Sequence, residues 1–329
     1  MIEIFNKTVG KLFPFLTPTS MVTGILLSAV LIDYVFLVPW IFGIMTFLGS
    51  LGLNFKDLKN AIAHPMPILV TIAILHLIMP GIAWTVGHIF FAGDSLVITG
   101  LVLSFTVPIG ITSMIWVSLY RGNLALTLSI ILINTLFSPF LVSYSLKLFV
   151  GAQVSLDLWG IMQGLLGMVV FPSLFAMLLN QLTKGEINQV IGKPLAPFTK
   201  LGLLVVIAIN SSTVAPYIQT IDLKLIAIAF TMLALAAIGY GIGWLVAKAF
   251  GWDRETIIAL TYNTGMRNIS AGAVIAITFF PTPVAIPVIM GMLFQQLLAA
   301  IYGKFLSRSY GDEVAPIEGR QLSTQTSGR

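Results

Sequence analysis

Apolar residues come in long runs along this chain, and polar residues gather in the short gaps between the runs. A helix needs roughly 20 apolar residues to cross a bilayer. On that ruler the sequence predicts ten spans, at 13–32, 37–53, 66–84, 96–119, 123–149, 158–181, 199–216, 223–250, 255–280 and 283–308. No small-residue cleavage site follows the first run and further spans do, so it reads as a span and not as a signal peptide. Two spans are interrupted. Span 4, "SLVITGLVLSFTVPIGITSMIWVSLY", carries Pro108 and Gly110 in its middle. Span 9 carries Thr264-Gly265-Met266-Arg267-Asn268 between two apolar stretches.

Composition agrees with that pattern. The 329 residues are 57% hydrophobic and 9% charged, with a mean hydropathy of +1.00. A soluble domain carries about 25% charged residues, so this chain cannot cover a water-facing surface. Its net charge of +5 is therefore no argument for a nucleic-acid partner; the lipid bilayer is the expected surroundings. With the N-terminus inside, fourteen Lys and Arg residues fall in or beside inside loops, and only Lys147 and Lys224 fall outside. The positive-inside rule then predicts a multi-pass protein of the cell membrane with both termini cytoplasmic. The outside turns carry Asp33, Asp94, Asp157 and Asp222, and no carboxylate lies deep in a span.

Several chemistries drop out. Without cysteine there are no disulfides, thiolate metal sites or cysteine nucleophiles. There is no H-E-x-x-H or G-x-S-x-G motif, and a lone His76 in span 3 makes no catalytic dyad. The chain does not read as an enzyme. Residues 1–12 form a short inside segment and 309–329 a polar tail expected to be disordered. The tail's Ile317–Arg320, "IEGR", looks like an engineered protease site.

The longest inside loop, "NQLTKGEINQVIGKP", follows span 6 and divides the chain into five spans plus five. An odd number per half makes the second half run inverted, and pairs span 4 with span 9. Interrupted spans at matching positions of two inverted halves mark a transporter binding site. Unwound backbone is tolerated at that depth only where protein buries it or it lines a cavity. Pro108, Gly110 and Gly265 are the helix-breaking candidates.

The stretches "LGLNFKDLKNAIAHP" with "LHLIMPGIAW", then "VPIGITSMIWVSLYRGNLALTLSIILINTLFSPF", then "NTGMRNISAGAVIA" resemble the bile acid:sodium symporter family over roughly residues 10–308. The resemblance implies an all-α membrane fold with helices 4 and 9 crossing at their breaks. It implies a panel domain (13–53 and 158–216), a core domain (66–149 and 223–308), alternating access, and a small organic anion as substrate. It also implies two sodium sites. The first falls on Ser113, Met114, Thr127, Ile131 and Asn263, where two ligands have become apolar and a carboxylate has become an amide. The second falls on His76, Asn263, the Met266 backbone and Arg267, with Asn268 beside the substrate. Sodium wants oxygen ligands, and an anionic one helps most in low dielectric. This sequence supplies none, and Arg267 puts a fixed cation where one sodium would sit.

The candidate substrate- and ion-binding residues are thus His76, Thr112, Ser113, Thr127, Asn263, Thr264, Met266, Arg267 and Asn268. Each has a plainer reading. Arg267 could clamp helix carbonyls, His76 could be a neutral, hydrogen-bonded bundle histidine or a proton-coupling group, and hydroxyls often satisfy their own helices. His64 and His88 are expected in loops, and Arg121-Gly122-Asn123 in a tight cytoplasmic turn. The expected function is secondary transport of a bile acid-like or other carboxylate or sulfonate anion, with sodium coupling weakened or replaced by Arg267. The alternative is sodium symport through a rearranged site at Ser113, Thr127 and Asn263; a channel or solute sensor is a remoter one. No cofactor is expected, and the protein is expected to be a monomer or weak homodimer.

Overall fold

The computed structural model describes residues 16, 18–53, 55, 65–151, 156–218 and 222–310. The predicted N-terminal segment 1–12, His64, the basic residues Lys56 and Lys59, and the tail beyond Tyr310 lie outside the described residues. Among the described residues every regular element is helical, and the one extended pairing is an isolated bridge between Ile109 and Arg267. Seven helical stretches are long and apolar enough to cross a membrane.

In chain order the elements are α1 (Val38–Ser50), α2 (Pro65–Phe90), α3 (Ser95–Thr106), α4 (Ser113–Leu119), α5 (Leu124–Val150) and α6 (Leu158–Leu182). They continue as α7 (Asn188–Tyr217), α8 (Leu223–Ala249), α9 (Arg254–Gly265), α10 (Ile269–Phe279) and α11 (Ala285–Tyr310). Most start where the sequence supplies a cap. Asp94, Asn123, Asp157, Asp222, Asp253 and Asn268 each accept a hydrogen bond from the backbone N–H three residues on. Such a side chain satisfies one of the N–H groups that a helix start leaves unpaired. Three of the four aspartates expected outside, Asp94, Asp157 and Asp222, are thereby explained as caps.

Some boundaries differ from expectation. Asp33 sits in a 3-10 segment, Ile32–Leu37, rather than an open turn. On one side of it Ser20 donates to the Leu204 carbonyl and Gly24 lies on the Ala208 backbone. On the other, Ile41 and Met45 lie against Gly202. Both arms rest on one stretch of α7, so the chain reverses through that tight segment. The long inside loop shrinks to a turn. Lys184 (φ 51°) and Gly185 (φ 93°) take left-handed geometry, and Gly185 N–H closes onto the Asn180 carbonyl, so helix resumes by Asn188. His88 is helical, not in a loop: it closes the last turn of α2, with Nδ1 2.8 Å from the Trp84 carbonyl oxygen. Ser309 and Tyr310, assigned to the tail, are the end of α11.

The two interrupted spans form the centre. All of α3 from Val97 to Thr106 is buried, as is α9 from Thr256 to Gly265. Around them pack α2, α5, α8 and α11. Large apolar side chains such as Leu26, Trp40, Phe171 and Phe230 point outward over the rest of the surface, as lipid contact requires.

Candidate functional site

Two helix breaks meet at the middle of the molecule. Span 4 leaves helical geometry after Thr106 and resumes at Ser113; span 9 leaves it after Gly265 and resumes at Ile269. The two exposed strips of backbone pair with each other. Gly110 N–H donates to the Met266 carbonyl at 3.2 Å, and Asn268 N–H donates to the Pro108 carbonyl at 2.7 Å. Pro108 has no N–H to satisfy. The remaining two N–H groups point outward from the bridge, and each finds a side-chain amide: Ile109 donates to Asn134 Oδ1 at 2.8 Å, Arg267 to Gln295 Oε1 at 3.0 Å. Unwound backbone this deeply buried must be accounted for group by group. Here α5 and α11 supply the partners for those two N–H groups.

The glycines provide space rather than unusual torsion. Neither Gly110 nor Gly265 has a positive φ. A Cβ on Gly265, which ends α9 rather than breaking it, would lie 2.3 Å from the Tyr240 ring. One on Gly110 would lie 3.1 Å from the Arg267 carbonyl oxygen. Tyr240 is itself held by its hydroxyl on the Gln295 carbonyl, and lies edge-on to Tyr262.

Below the breaks, Ser113, Asn263 and Thr127 form a closed chain. Ser113 Oγ donates to Asn263 Oδ1 at 3.1 Å, Asn263 Nδ2 to Thr127 Oγ1 at 3.3 Å, and Thr127 Oγ1 to the Asn123 carbonyl at 2.9 Å. Met114, next to Ser113, is partly buried and Ile131, one turn on from Thr127, is fully buried; neither side chain brings an oxygen. Asn123 also caps α5 and donates its own N–H to the Glu255 carbonyl, so the turn after α4 anchors this chain.

On the other side lies Arg267, 3% exposed. Its Nη1 donates to the Leu75 carbonyl at 3.4 Å, while Nε and Nη2 have no partner. Among the described residues no carboxylate is buried. Leu75 lies in a π-helical turn of α2, Ile74–Ile78, whose wider register loosens the carbonyl ladder. His76 in the same turn has Nε2 2.7 Å from Asn134 Nδ2, and its carbonyl accepts from Ser145 Oγ. His76 Nδ1 is buried without a partner.

A model of the family described as "Sodium Bile acid symporter family" matches residues 38–221. The uncharacterized protein YbaS of Bacillus subtilis is 52% identical over 295 residues, 90% of this chain and 96% of that protein. The chain belongs to the sodium bile acid symporter family. Two more distant relatives carry functional names. A probable chloroplastic sodium/metabolite cotransporter, BASS1 of rice, is 26% identical over 80% of this chain and 63% of its own length. The uncharacterized sodium-dependent transporter YocS of B. subtilis is 22% identical over 85% of this chain and 86% of its own. Members of this family are multi-pass membrane transporters rather than enzymes, and so is this chain.

For this member of the sodium bile acid symporter family, the sequence-derived candidates divide into three sets. Ser113, Thr127 and Asn263 come together in one chain; His76, Arg267 and Asn134 come together in another. Met266 contributes a carbonyl to the crossing. Thr264 points elsewhere, its hydroxyl bonded to the Leu260 and Thr261 carbonyls of its own helix. Asn268 caps α10, and Thr112 is half-buried at the start of α4 without a capping bond. Sequence reasoning missed Gln295, which holds the Arg267 backbone. It also missed Asn210 and Ser211 of α7, whose side chains are buried without partners. The pair Gln295-Gln296 and the run Asn210-Ser211-Ser212-Thr213, each inside an apolar stretch, were the available signals.

Proposed function

We propose that this protein is a secondary transporter of a small organic anion, working by alternating access, in which Arg267 and Asn263 take over the positions of coupling sodium ions. The observation that carries the reading is the closed chain Ser113–Asn263–Thr127. There the amide NH₂ of Asn263 is directed at the Thr127 hydroxyl oxygen, where a cation would otherwise need that oxygen. Arg267 supports it by placing a permanent positive charge beside the break with no buried carboxylate to balance it. The backbone bridge between the two breaks supports an arrangement of two inverted five-span halves. In it, a core (66–149 and 223–308) carries the crossing and a panel (13–53 and 158–216) flanks it. Packing of α1 on α6 and α7, apart from the α2–α3 and α8–α9 pairs, fits that division. The basic-residue count supports cytoplasmic termini in the cell membrane.

The names of the rice and B. subtilis relatives favour a second reading, sodium-coupled uptake through a rearranged site at Ser113, Thr127 and Asn263. A thermal-shift screen of carboxylates and sulfonates on purified protein, run in sodium and in choline, separates the two. The first reading expects the stabilising anions to act equally in both salts, and equal uptake into liposomes. Stabilisation and uptake confined to sodium would replace it with the second. Topology is checked by cysteine labelling: Ala92→Cys should react from outside and Lys184→Cys should not, and the reverse pattern would overturn the inverted arrangement.

A further inference from the structure

The unpartnered buried side-chain atoms of Arg267 and His76 are of one kind. Asn134 Oδ1 accepts from the Ile109 N–H, which can only donate. The other end of that amide is therefore NH₂, also a donor, and the His76 Nε2 it faces must accept. A neutral imidazole accepting at Nε2 carries its hydrogen on Nδ1. His76 Nδ1–H is thus an unpartnered buried donor, as are Arg267 Nε–H and Nη2–H₂. Both residues are 3% exposed. They are tied to one place twice over, through the Leu75 carbonyl that takes Arg267 Nη1, and through Asn134, which joins His76 to the bridge residue opposite Arg267. A buried donor left unmade is costly, and a buried guanidinium with no counter-charge more so.

We infer that Arg267 and His76 form a dry binding site for one small monovalent anion, a carboxylate headgroup or a halide, held beside the π-helical turn of α2. Three orphaned side-chain donor atoms, two of them on a charged guanidinium, select an anion over water, which brings no negative charge to balance that group. Guanidinium Nε and Nη2 lie on one edge of the group and present two parallel N–H bonds, the fork that fits a carboxylate. The Asn134 amide sets which edge of His76 faces the ligand. This rests on the reading of the protein as an anion transporter for its physiological meaning, but not for its test.

Purified protein in iso-osmotic sucrose with minimal Tris sulfate as buffer, free of other monovalent anions, is titrated with choline chloride and separately with choline formate, and its thermal unfolding followed. The unmodified protein should show a saturable rise of about 3 °C or more, unchanged when sodium replaces choline. A rise with formate alone identifies a carboxylate seat; a rise with chloride, alone or with formate, identifies a halide-sized one. Arg267→Gln should abolish the rise and His76→Leu should weaken the half-saturating concentration by tenfold or more. His76→Leu alone decides the point if Arg267→Gln does not yield folded protein. A flat titration of the unmodified protein with both anions, or an undiminished one in His76→Leu, overturns the site. Sodium-dependent uptake with an intact anion response would instead sink the transport reading and leave this one standing.

Discussion

On one side of the crossing, Ser113, Asn263 and Thr127 satisfy each other down to the Asn123 carbonyl; on the other, Arg267 and His76 keep three buried donors without partners. Both clusters are buried to a similar degree and hang on the same pair of broken helices, so burial and backbone geometry do not separate them. What separates them is the sign and number of their hydrogen-bonding groups. The first is balanced, an amide supplying both the acceptor for Ser113 and the donor for Thr127. The unpaired atoms of the second are all donors. A balanced buried cluster holds structure together without a ligand, whereas a cluster of one sign is stable only when something of the other sign enters. On this account the first cluster is a brace and the second a seat.

The largest effect should come from unbalancing the brace. Asn263→Asp removes the NH₂ donor and adds a charge. Asn263 is bonded to Ser113 and Thr127 and not to Arg267, so a buried charge left unpaired there should cost about 3–5 kcal/mol, measured as a lower unfolding midpoint in choline. Sodium should recover much of that loss in the variant and do nothing for the unmodified protein. Equal sensitivity of the two to sodium would erase the distinction between brace and seat.

Arg267→Met tests the seat from the opposite direction. Charge at membrane depth costs about 2.5–3.5 kcal/mol on insertion scales, so the ligand-free variant should be more stable than the parent by up to about 3 kcal/mol. Its transport should fall by about 100-fold, the loss of a charge-assisted pair of bonds. A variant both less stable and still active would mean that Arg267 is a structural clamp on α2.

The glycines give a smaller contrast. Gly265→Ala pushes a methyl into the Tyr240 ring at 2.3 Å, which the Gln295 carbonyl holds in place. Overpacking of that kind costs about 1–3 kcal/mol. Gly110→Ala meets the Arg267 carbonyl oxygen at 3.1 Å and Thr112 Oγ1 at 3.3 Å, looser contacts than those at Gly265, and should cost under about 1 kcal/mol. Both are read by denaturation in detergent; the reverse order would place the tighter packing at the first break.

Much of this was legible before any coordinates. Run length marked seven membrane-length apolar helices, Pro108 and the charge at Arg267 marked the breaks, and the missing carboxylates cast doubt on sodium. The partners were harder to see. Gln295 and Asn134 stand out as polar residues on long apolar helices, but nothing in local periodicity says which backbone N–H each will meet. The π-helical turn at His76 has no signature in the sequence either, because "AILHLIMPG" reads equally well as regular helix. The long inside loop was misjudged because its polar residues looked like linker, whereas Lys184 and Gly185 alone make the turn. Gly265, a helix-breaking candidate in the sequence, instead ends α9 as a contact surface, a difference that only the position of Tyr240 reveals.

Radiolabelled sodium binding to the purified, unmodified protein tests the central claim most directly. With Asn263 Nδ2 and the Arg267 guanidinium already in place, no saturable sodium binding is predicted at any concentration up to the physiological range, while Asn263→Glu with Arg267→Gln should acquire it. Saturable, stoichiometric sodium binding to the unmodified chain would contradict the account.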